Sequence, residues 1–215
     1  MKFIEHRVAD RRILRLIQKW LKAGVSEDGQ WSETTVGTPQ GSVASPLLAN
    51  AYLHYVFDLW AEAWRKKVAK GDVIIVRYAD DLVVGFQYRT EAEQFLKAFR
   101  ERLAKFGLEL HAEKTRLIEF GRFAARDREQ RGEGKPETFT FLGFTHYCGT
   151  RRSNGAFTVW RKTAKKRMAT KLRLIKAELR QRMHEPIASA GEWLRKAVLG
   201  SYRYHAVPGN LDRLF

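Results

Sequence analysis

An α+β fold is what the sequence predicts: an antiparallel sheet with helices on one face, followed by a small helical region. Three observations predict it. Two apolar β-branched runs, Val73 to Val76 and Leu82 to Phe86, stand only a few residues apart, as the arms of a hairpin do. Stretches with apolar residues three and four apart flank them on both sides. From Thr163 onward the period is helical, and cations face away from one apolar seam. The 215 residues, 44% hydrophobic and 12% aromatic, can bury a real core, so a folded chain and not a disordered one is the default expectation. The expected division is one body over residues 1–150 and a basic helical appendage over 151–215.

Taken in order, Ile4, Val8, Ile13, Leu14, Ile17 and Leu21 recur at helical spacing and are interrupted near Asp10, so one or two amphipathic helices open the chain. Gly24 stops them, and Val25 to Val36, with Glu27-Asp28-Gly29 inside it, predicts a turn or hairpin leading into a tight loop at Gly37. Ser45-Pro46 predicts a helix start, Ser45 as the cap and Pro46 in the first turn, with the helix running toward Lys70 and ended by Gly71. After the hairpin, Thr90 to Phe106 is an amphipathic helix on Ala92, Phe95, Leu96, Phe99 and Leu103. Leu108 to Leu110 and Arg116 to Phe120 are expected as short strands, and Gly121 to Glu137 as a polar, mobile loop.

Phe139 to Tyr147 is again strand-like, and Phe157 to Trp160 is placed to pair with it across Ser153-Asn154-Gly155. Met168, Leu172, Ile175 and Leu179 then form one seam, opposite Lys165, Lys166, Lys171, Arg173, Lys176 and Arg180. Pro186 breaks that helix. A second helix follows, with Trp193, Leu194, Val198 and Tyr202, up to Pro208-Gly209.

Charge narrows the partner. Forty Lys and Arg against 24 Asp and Glu give +16, and residues 151–215 hold sixteen of those cations against four acids. Such a balance points to a polyanion gripped by the C-terminal third. Cys148 is the single cysteine, so an internal disulfide and a thiolate-rich zinc site are both excluded, and a reducing, intracellular compartment is expected. No apolar run approaches membrane-spanning length, and Met1 to Arg7 carry no apolar leader segment, so no membrane partner is expected.

The chemistry concentrates in Arg77-Tyr78-Ala79-Asp80-Asp81. Two adjacent carboxylates on an otherwise buried hairpin would repel each other and lose hydration, which a divalent cation remedies. Mg²⁺ suits an all-oxygen ligand set, and phosphoryl transfer uses such ions to activate an attacking oxygen and stabilise the leaving one. An isolated Asp-Asp pair is more often an ordinary exposed turn. The flanking strands, and the motif upstream, tip the reading toward Asp80 and Asp81 as catalytic metal ligands.

That upstream motif is Gly37-Thr38-Pro39-Gln40-Gly41-Ser42 with Ser45-Pro46-Leu47-Leu48-Ala49-Asn50. Together with Tyr78-Ala79-Asp80-Asp81 it resembles reverse transcriptases, specifically the group II intron type. The first segment is similar to the motif that contacts template and incoming nucleotide, and the second to the catalytic motif. The resemblance implies an RNA-directed DNA polymerase fold, a partial palm followed by a helical thumb. Gly37, Pro39, Gln40, Gly41, Tyr78 and Ala79 are then template- and substrate-binding. Glycines at 37 and 41 permit close backbone approach to a base pair, and Gln40 offers both donors and acceptors.

Glu113-Lys114-Thr115 resembles the next motif, which makes Lys114 a candidate proton donor to leaving pyrophosphate. Phe141-Leu142-Gly143-Phe144 resembles the primer-grip hairpin, and the basic helices from Thr163 to Phe215 resemble the thumb, whose cations would track phosphates. The implied partners are an RNA template or intron RNA, a DNA primer and deoxynucleoside triphosphates. The implied setting is a cytoplasmic ribonucleoprotein of the prokaryotic type; the sequence leaves the oligomeric state open.

The resemblance also has a gap. The family carries a third catalytic Asp and nucleotide-holding fingers before the Gln40 motif, and neither Asp10, in a basic helical stretch, nor Asp58, inside the long helix, is a credible substitute. These residues alone are therefore expected to be catalytically incomplete. Two rivals share the same sequence: a non-catalytic, maturase-like RNA-binding module, and an RNA-dependent RNA polymerase or defence-associated reverse transcriptase with the same palm chemistry.

Overall fold

The computed structural model describes residues 1–22, 25–27, 30–32 and 44–211. The loop bearing Gly37, Pro39, Gln40 and Gly41 lies outside the described residues. The chain is a mixture of helices and small antiparallel sheets, and it divides into two compact units, Met1–Arg116 and Leu117–Phe215. The boundary expected near residue 150 falls inside the second unit, between two paired strands.

In the first unit, α1 (Lys2–Glu5) and α2 (Arg11–Lys22) form on either side of Asp10, whose carboxylate accepts the backbone N–H of Arg12 at 2.8 Å as an N-terminal cap. Strands β1 (Val25–Glu27) and β2 (Gln30–Ser32) pair antiparallel. Helix α3 (Ser45–Leu53) then passes through a π turn (His54–Asp58) into α4 (Leu59–Lys67). Pro46 sits in the first turn as expected, but Ser45 is already helical and the cap position falls on Ala44. A π turn widens the helix and disturbs its carbonyl ladder. Here Arg102 compensates, donating to the carbonyls of Val56 at 3.0 Å and Tyr55 at 3.2 Å.

Strands β3 (Val73–Tyr78) and β4 (Asp81–Phe86) form a hairpin with Val73 opposite Phe86 and Tyr78 opposite Asp81. Helix α5 (Arg89–Ala104) lies against it through the positions its 3.6-residue period predicts: Ala92, Phe95, Phe99 and Leu103 are buried. Phe95, Phe99 and Leu103 join Val56, Phe57, Ala61, Trp64 and Val73 in the core. The rings mesh at tilted and edge-on angles, Phe57 on Phe99 and Trp64 on Phe95 each at 5.0 Å between centroids. One buried acid sits at its rim. Glu91 accepts the backbone N–H groups of Lys70 and Gly71, the nearest at 2.7 Å, and so ties the end of the long helix to the start of α5.

Two expected strands do not form. After α5 the N–H of Leu108 returns to the Leu103 carbonyl at 3.0 Å, and Lys114 and Thr115 both bond to the His111 carbonyl, so these backbone groups are spent on local turns. Leu108 to Leu110 and Arg116 to Phe120 are irregular.

The second unit corrects a further expectation: the polar stretch after Gly121 holds a helix, α6 (Ala124–Gln130). Arg131 fastens the exit from that helix by pairing with both Glu119 and Glu133, which hold its guanidinium protonation above the usual range. Strands β5 (Phe139–Phe141), β6 (Phe144–Thr150) and β7 (Phe157–Thr163) follow as an antiparallel meander with β6 central. Helices α7 (Lys165–Gln181) and α8 (Ile187–His205) follow, and the described chain continues to Leu211. Of the predicted α7 seam, Met168, Ile175 and Leu179 are half-buried, whereas Leu172 is exposed.

Candidate active site

The β3–β4 hairpin closes through a two-residue loop, Ala79-Asp80, between the paired residues Tyr78 and Asp81. Ala79 has φ +54° and no other residue of the loop has positive φ, the pattern of a type II′ turn, which matches the right-handed twist of paired strands. Glycine is the usual occupant of that position, because a Cβ there costs about 1 kcal/mol. Ala79→Gly is expected to raise the melting temperature of the unit by a few degrees, as thermal unfolding would measure.

Asp80 and Asp81 stand at the tip, and both are exposed. The expectation of dehydrated carboxylates is thus corrected: Asp80 lies in the two-residue turn, and Asp81, paired with Tyr78, shares the exposed outer face of the hairpin. Among the described residues neither makes a side-chain hydrogen bond or ion pair, so both carboxylates remain available. No group of three His, Cys, Asp or Glu capable of holding a metal occurs among the described residues. Tyr78 is 64% exposed and shares the outer face of β3 with Ile74 and Val76, also exposed, as a period of two requires.

Behind the turn lies a group of residues that sequence reasoning missed. The Arg77 guanidinium donates from Nε to Asp58 Oδ1 at 2.7 Å and from Nη2 to Asp58 Oδ2 at 2.6 Å, a two-pronged pair. Its third nitrogen, Nη1, donates to Asn50 Oδ1 at 2.8 Å and to the Ala79 carbonyl at 3.0 Å. Asp58, set aside above as a mere helix residue, is therefore the anchor of the hairpin. Burial pushes its carboxyl upward, but the bonds and charge of Arg77, with His54 Nδ1 at 3.4 Å, outweigh this and hold it below the usual carboxylate range.

A carboxyl depressed in the fold stabilises it in full above about pH 4, the unfolded value, and that contribution is lost as pH falls through the folded value. Melting temperatures between pH 7 and pH 2 should fall more steeply below pH 4 for the chain than for Asp58→Asn, which starts lower and stays flatter. Equal slopes would disprove it.

Lys114 lies exposed on the turn after His111, in the same compact unit. In the second unit, Phe141, Leu142, Gly143 and Phe144 are the β5–β6 hairpin itself: Phe141 pairs with Phe144, and Leu142 (φ +49°) with Gly143 (φ +80°) form its turn. A leucine in the left-handed region is strained, and two bonds hold the loop: Tyr204 Oη donates to the Leu142 carbonyl at 2.8 Å and the Ala164 N–H to the Gly143 carbonyl at 2.9 Å. On α7, Lys165, Lys166, Arg173, Lys176 and Arg180 are exposed and Lys171 is half-buried. None of the six has an ion-pair partner among the described residues.

Comparison with known proteins points to the same family as the sequence. Residues 2–146 match the family described as reverse transcriptase (RNA-dependent DNA polymerase). The group II intron-encoded protein LtrA of Lactococcus lactis subsp. cremoris is 51% identical over 51 residues, which is 24% of this chain and 8% of that protein. An uncharacterized 91 kDa protein in the cob intron of Schizosaccharomyces pombe is 45% identical over 51 residues, 24% of this chain and 6% of the other. Protein YkfC of Escherichia coli (strain K12) is 32% identical over 111 residues, covering 39% of this chain and 29% of that one. The matched stretch thus spans less than a third of each of these relatives. No helix among the described residues is long and apolar enough to cross a membrane.

Proposed function

The chain belongs to the reverse transcriptase (RNA-dependent DNA polymerase) family, and from that premise we propose that it serves RNA-templated DNA synthesis of the group II intron type. Residues 1–150 are the partial palm and 151–215 the thumb. Asp80 and Asp81 are the metal-binding catalytic pair. The observation that carries this reading is a tight turn presenting two adjacent, unpartnered carboxylates on a hairpin.

The donor set fits Mg²⁺ in kind, two hard oxygen ligands, and falls short in number. Mg²⁺ accepts one or two carboxylates when water and substrate phosphates complete its shell. Bound there, it would supply charge neutralisation to the transferring phosphoryl group. The chain's own residues do the rest. Tyr78 and Ala79 shape the surface beside the carboxylates, Gly37, Pro39, Gln40 and Gly41 contact the template and the incoming deoxynucleotide, and Lys114 is a secondary choice for proton donation to pyrophosphate. Phe141 to Phe144 hold the primer end, and the α7 cations hold phosphates.

Mn²⁺ titration tests the pair directly. Paramagnetic broadening of backbone amides is expected to centre on residues 79–81 and to vanish in the double variant Asp80→Asn, Asp81→Asn. Broadening that ignores the turn would overturn the assignment. With two carboxylates gathered, the 215 residues by themselves are expected to give no primer extension on an RNA template with Mg²⁺ and deoxynucleotides. Robust extension would refute that part.

The second reading, a maturase-like RNA-binding module without catalysis, is favoured by the want of a third grouped carboxylate among the described residues. Filter binding of intron RNA separates the two. Binding unchanged by Asp80→Ala and Asp81→Ala, with no synthesis by any longer form of the protein, favours the module.

A further inference from the structure

Asn50 and Asp58 are eight residues apart on one continuous helix, yet both reach the same guanidinium. An α-helix turns about 100° per residue, so eight residues overshoot two full turns by about 80°, and such a pair would diverge. The π turn His54–Asp58 takes up one extra residue in its wider turn. Eight residues then close on about two turns, and Asn50 and Asp58 come onto one face. The distortion is costly and is compensated from outside by Arg102, which marks it as a feature the fold maintains.

What that face holds is Arg77, three residues before Asp80. Its Nη1 bond to the Ala79 carbonyl fixes the peptide group at the strained position of the turn, and the direction of that peptide sets how the next two side chains project. A bare guanidinium so close to a cation site would repel the cation or pair with the carboxylates itself. The two-pronged bond to Asp58 both neutralises it and prevents it from swinging forward.

We propose that Arg77, registered by Asn50 and Asp58 through the π turn, is a positioning residue that holds Asp80 and Asp81 in the geometry for a divalent cation while keeping its own charge out of their reach. This rests on the reading of Asp80 and Asp81 as a metal-holding pair. The chemical partner of the turn is a hard divalent ion, and Arg77 acts on it only through the Ala79 peptide.

Arg77→Lys is the informative variant, because it keeps the charge and loses the fork. Mn²⁺ affinity, read from broadening at residues 79–81 of the 215-residue chain, is expected to fall about tenfold, the usual scale for a residue that orients metal ligands. Asp58→Asn is expected to weaken it at least as much, because the released guanidinium then competes for Asp80 and Asp81. Asn50→Ala leaves the ion pair intact and guards against a simple failure to fold; a loss of about threefold is expected, at the bottom of the range for one hydrogen bond.

A merely structural role would lower the melting temperature and leave Mn²⁺ affinity alone, so Arg77→Lys binding Mn²⁺ as tightly as the parent overturns the proposal. The double variant Asp80→Asn, Asp81→Asn keeps the two ideas apart. If it binds as the parent does, the metal-pair reading falls and this inference with it; if it abolishes binding while Arg77→Lys changes nothing, only this inference falls.

Discussion

Changing Lys165, Lys166, Lys171, Arg173, Lys176 and Arg180 together to Gln is expected to remove most of the chain's affinity for single-stranded RNA and to flatten its dependence on salt. Each phosphate contact on a single strand contributes about 0.7 to the slope of log affinity against log salt, so six contacts give a slope of about −4. On that slope the parent's affinity falls about 250-fold between 50 and 200 mM salt. The variant, with those contacts gone, should show a slope near that of the residual basic surface. Gln keeps the helix, being close to Lys and Arg in propensity, and no residue of α7 is buried, so the fold should survive.

The substitutions also lower net charge from +16 to +10. A control that removes six exposed cations elsewhere, Arg11, Arg15, Lys19, Lys22, Lys97 and Arg100, makes the same change and isolates position from total charge. Filter binding across the salt series decides between them. If the two variants lose equally, α7 is an ordinary solvated face and the thumb assignment loses its main physical support.

That helix was legible in the sequence for the same reason its test is clean: a 3.6-residue period with cations on one side needs no long-range information. The β3–β4 hairpin was legible too, because Val73 to Val76 and Leu82 to Phe86 are β-branched or apolar runs too close together to be anything but a tight pair. The placement of Asp80 and Asp81 at its tip followed from the count of residues. Their exposure did not, since apolar neighbours in sequence suggested burial, whereas Asp80 falls in the two-residue turn and Asp81 on the outer face opposite Tyr78.

What was hidden depended on contacts between distant positions. Nothing local marks Asp58 as the partner of Arg77 nineteen residues later, or Asn50 as its second acceptor twenty-seven residues before. The π turn was invisible because Ser45 to Lys67 scans as one helix; its evidence is Arg102, donating from 46 residues away to the Val56 carbonyl. The strand expected at Leu108 to Leu110 failed where it starts, because the Leu103 carbonyl takes the Leu108 N–H, and nothing in the structure explains why Arg116 to Phe120 stays irregular. In Gly121 to Glu137, polarity suggested a loose loop, and the Arg131 ion pairs with the short helix before them made it a structured one.

Asn210→Ala should be among the most damaging single substitutions in the second unit. Asn210 is 1% exposed, and every polar atom of its side chain is used: Oδ1 accepts the Thr163 N–H at 3.0 Å, while Nδ2 donates to Thr163 Oγ1 at 2.9 Å and to the His205 carbonyl at 2.8 Å. It thereby joins the last residue of β7 to the last residue of α8. Truncation leaves a buried N–H and a buried carbonyl unpaired, a loss of about 2–4 kcal/mol. For a unit of this size the melting temperature should drop by about 10–25 °C.

Asn210→Asp is expected to be at least as harmful despite its matching shape. It can still accept from Thr163, but it has no donor for the His205 carbonyl and places an anion against that oxygen. The consequence reaches the β5–β6 turn, because Tyr204, next to His205, stacks on Phe144 at 5.8 Å and bonds the Leu142 carbonyl. Freed of Asn210, the end of α8 no longer holds Tyr204 in place, and the strained left-handed leucine loses one of the bonds that keep it there. Amide hydrogen exchange at Leu142 and Gly143 should therefore accelerate more than exchange in the middle of β6 and β7. A variant that melts within 2 °C of the parent, or in which the turn exchanges no faster than the sheet, would show that α8 is docked by its apolar contacts and that Asn210 only fills a gap.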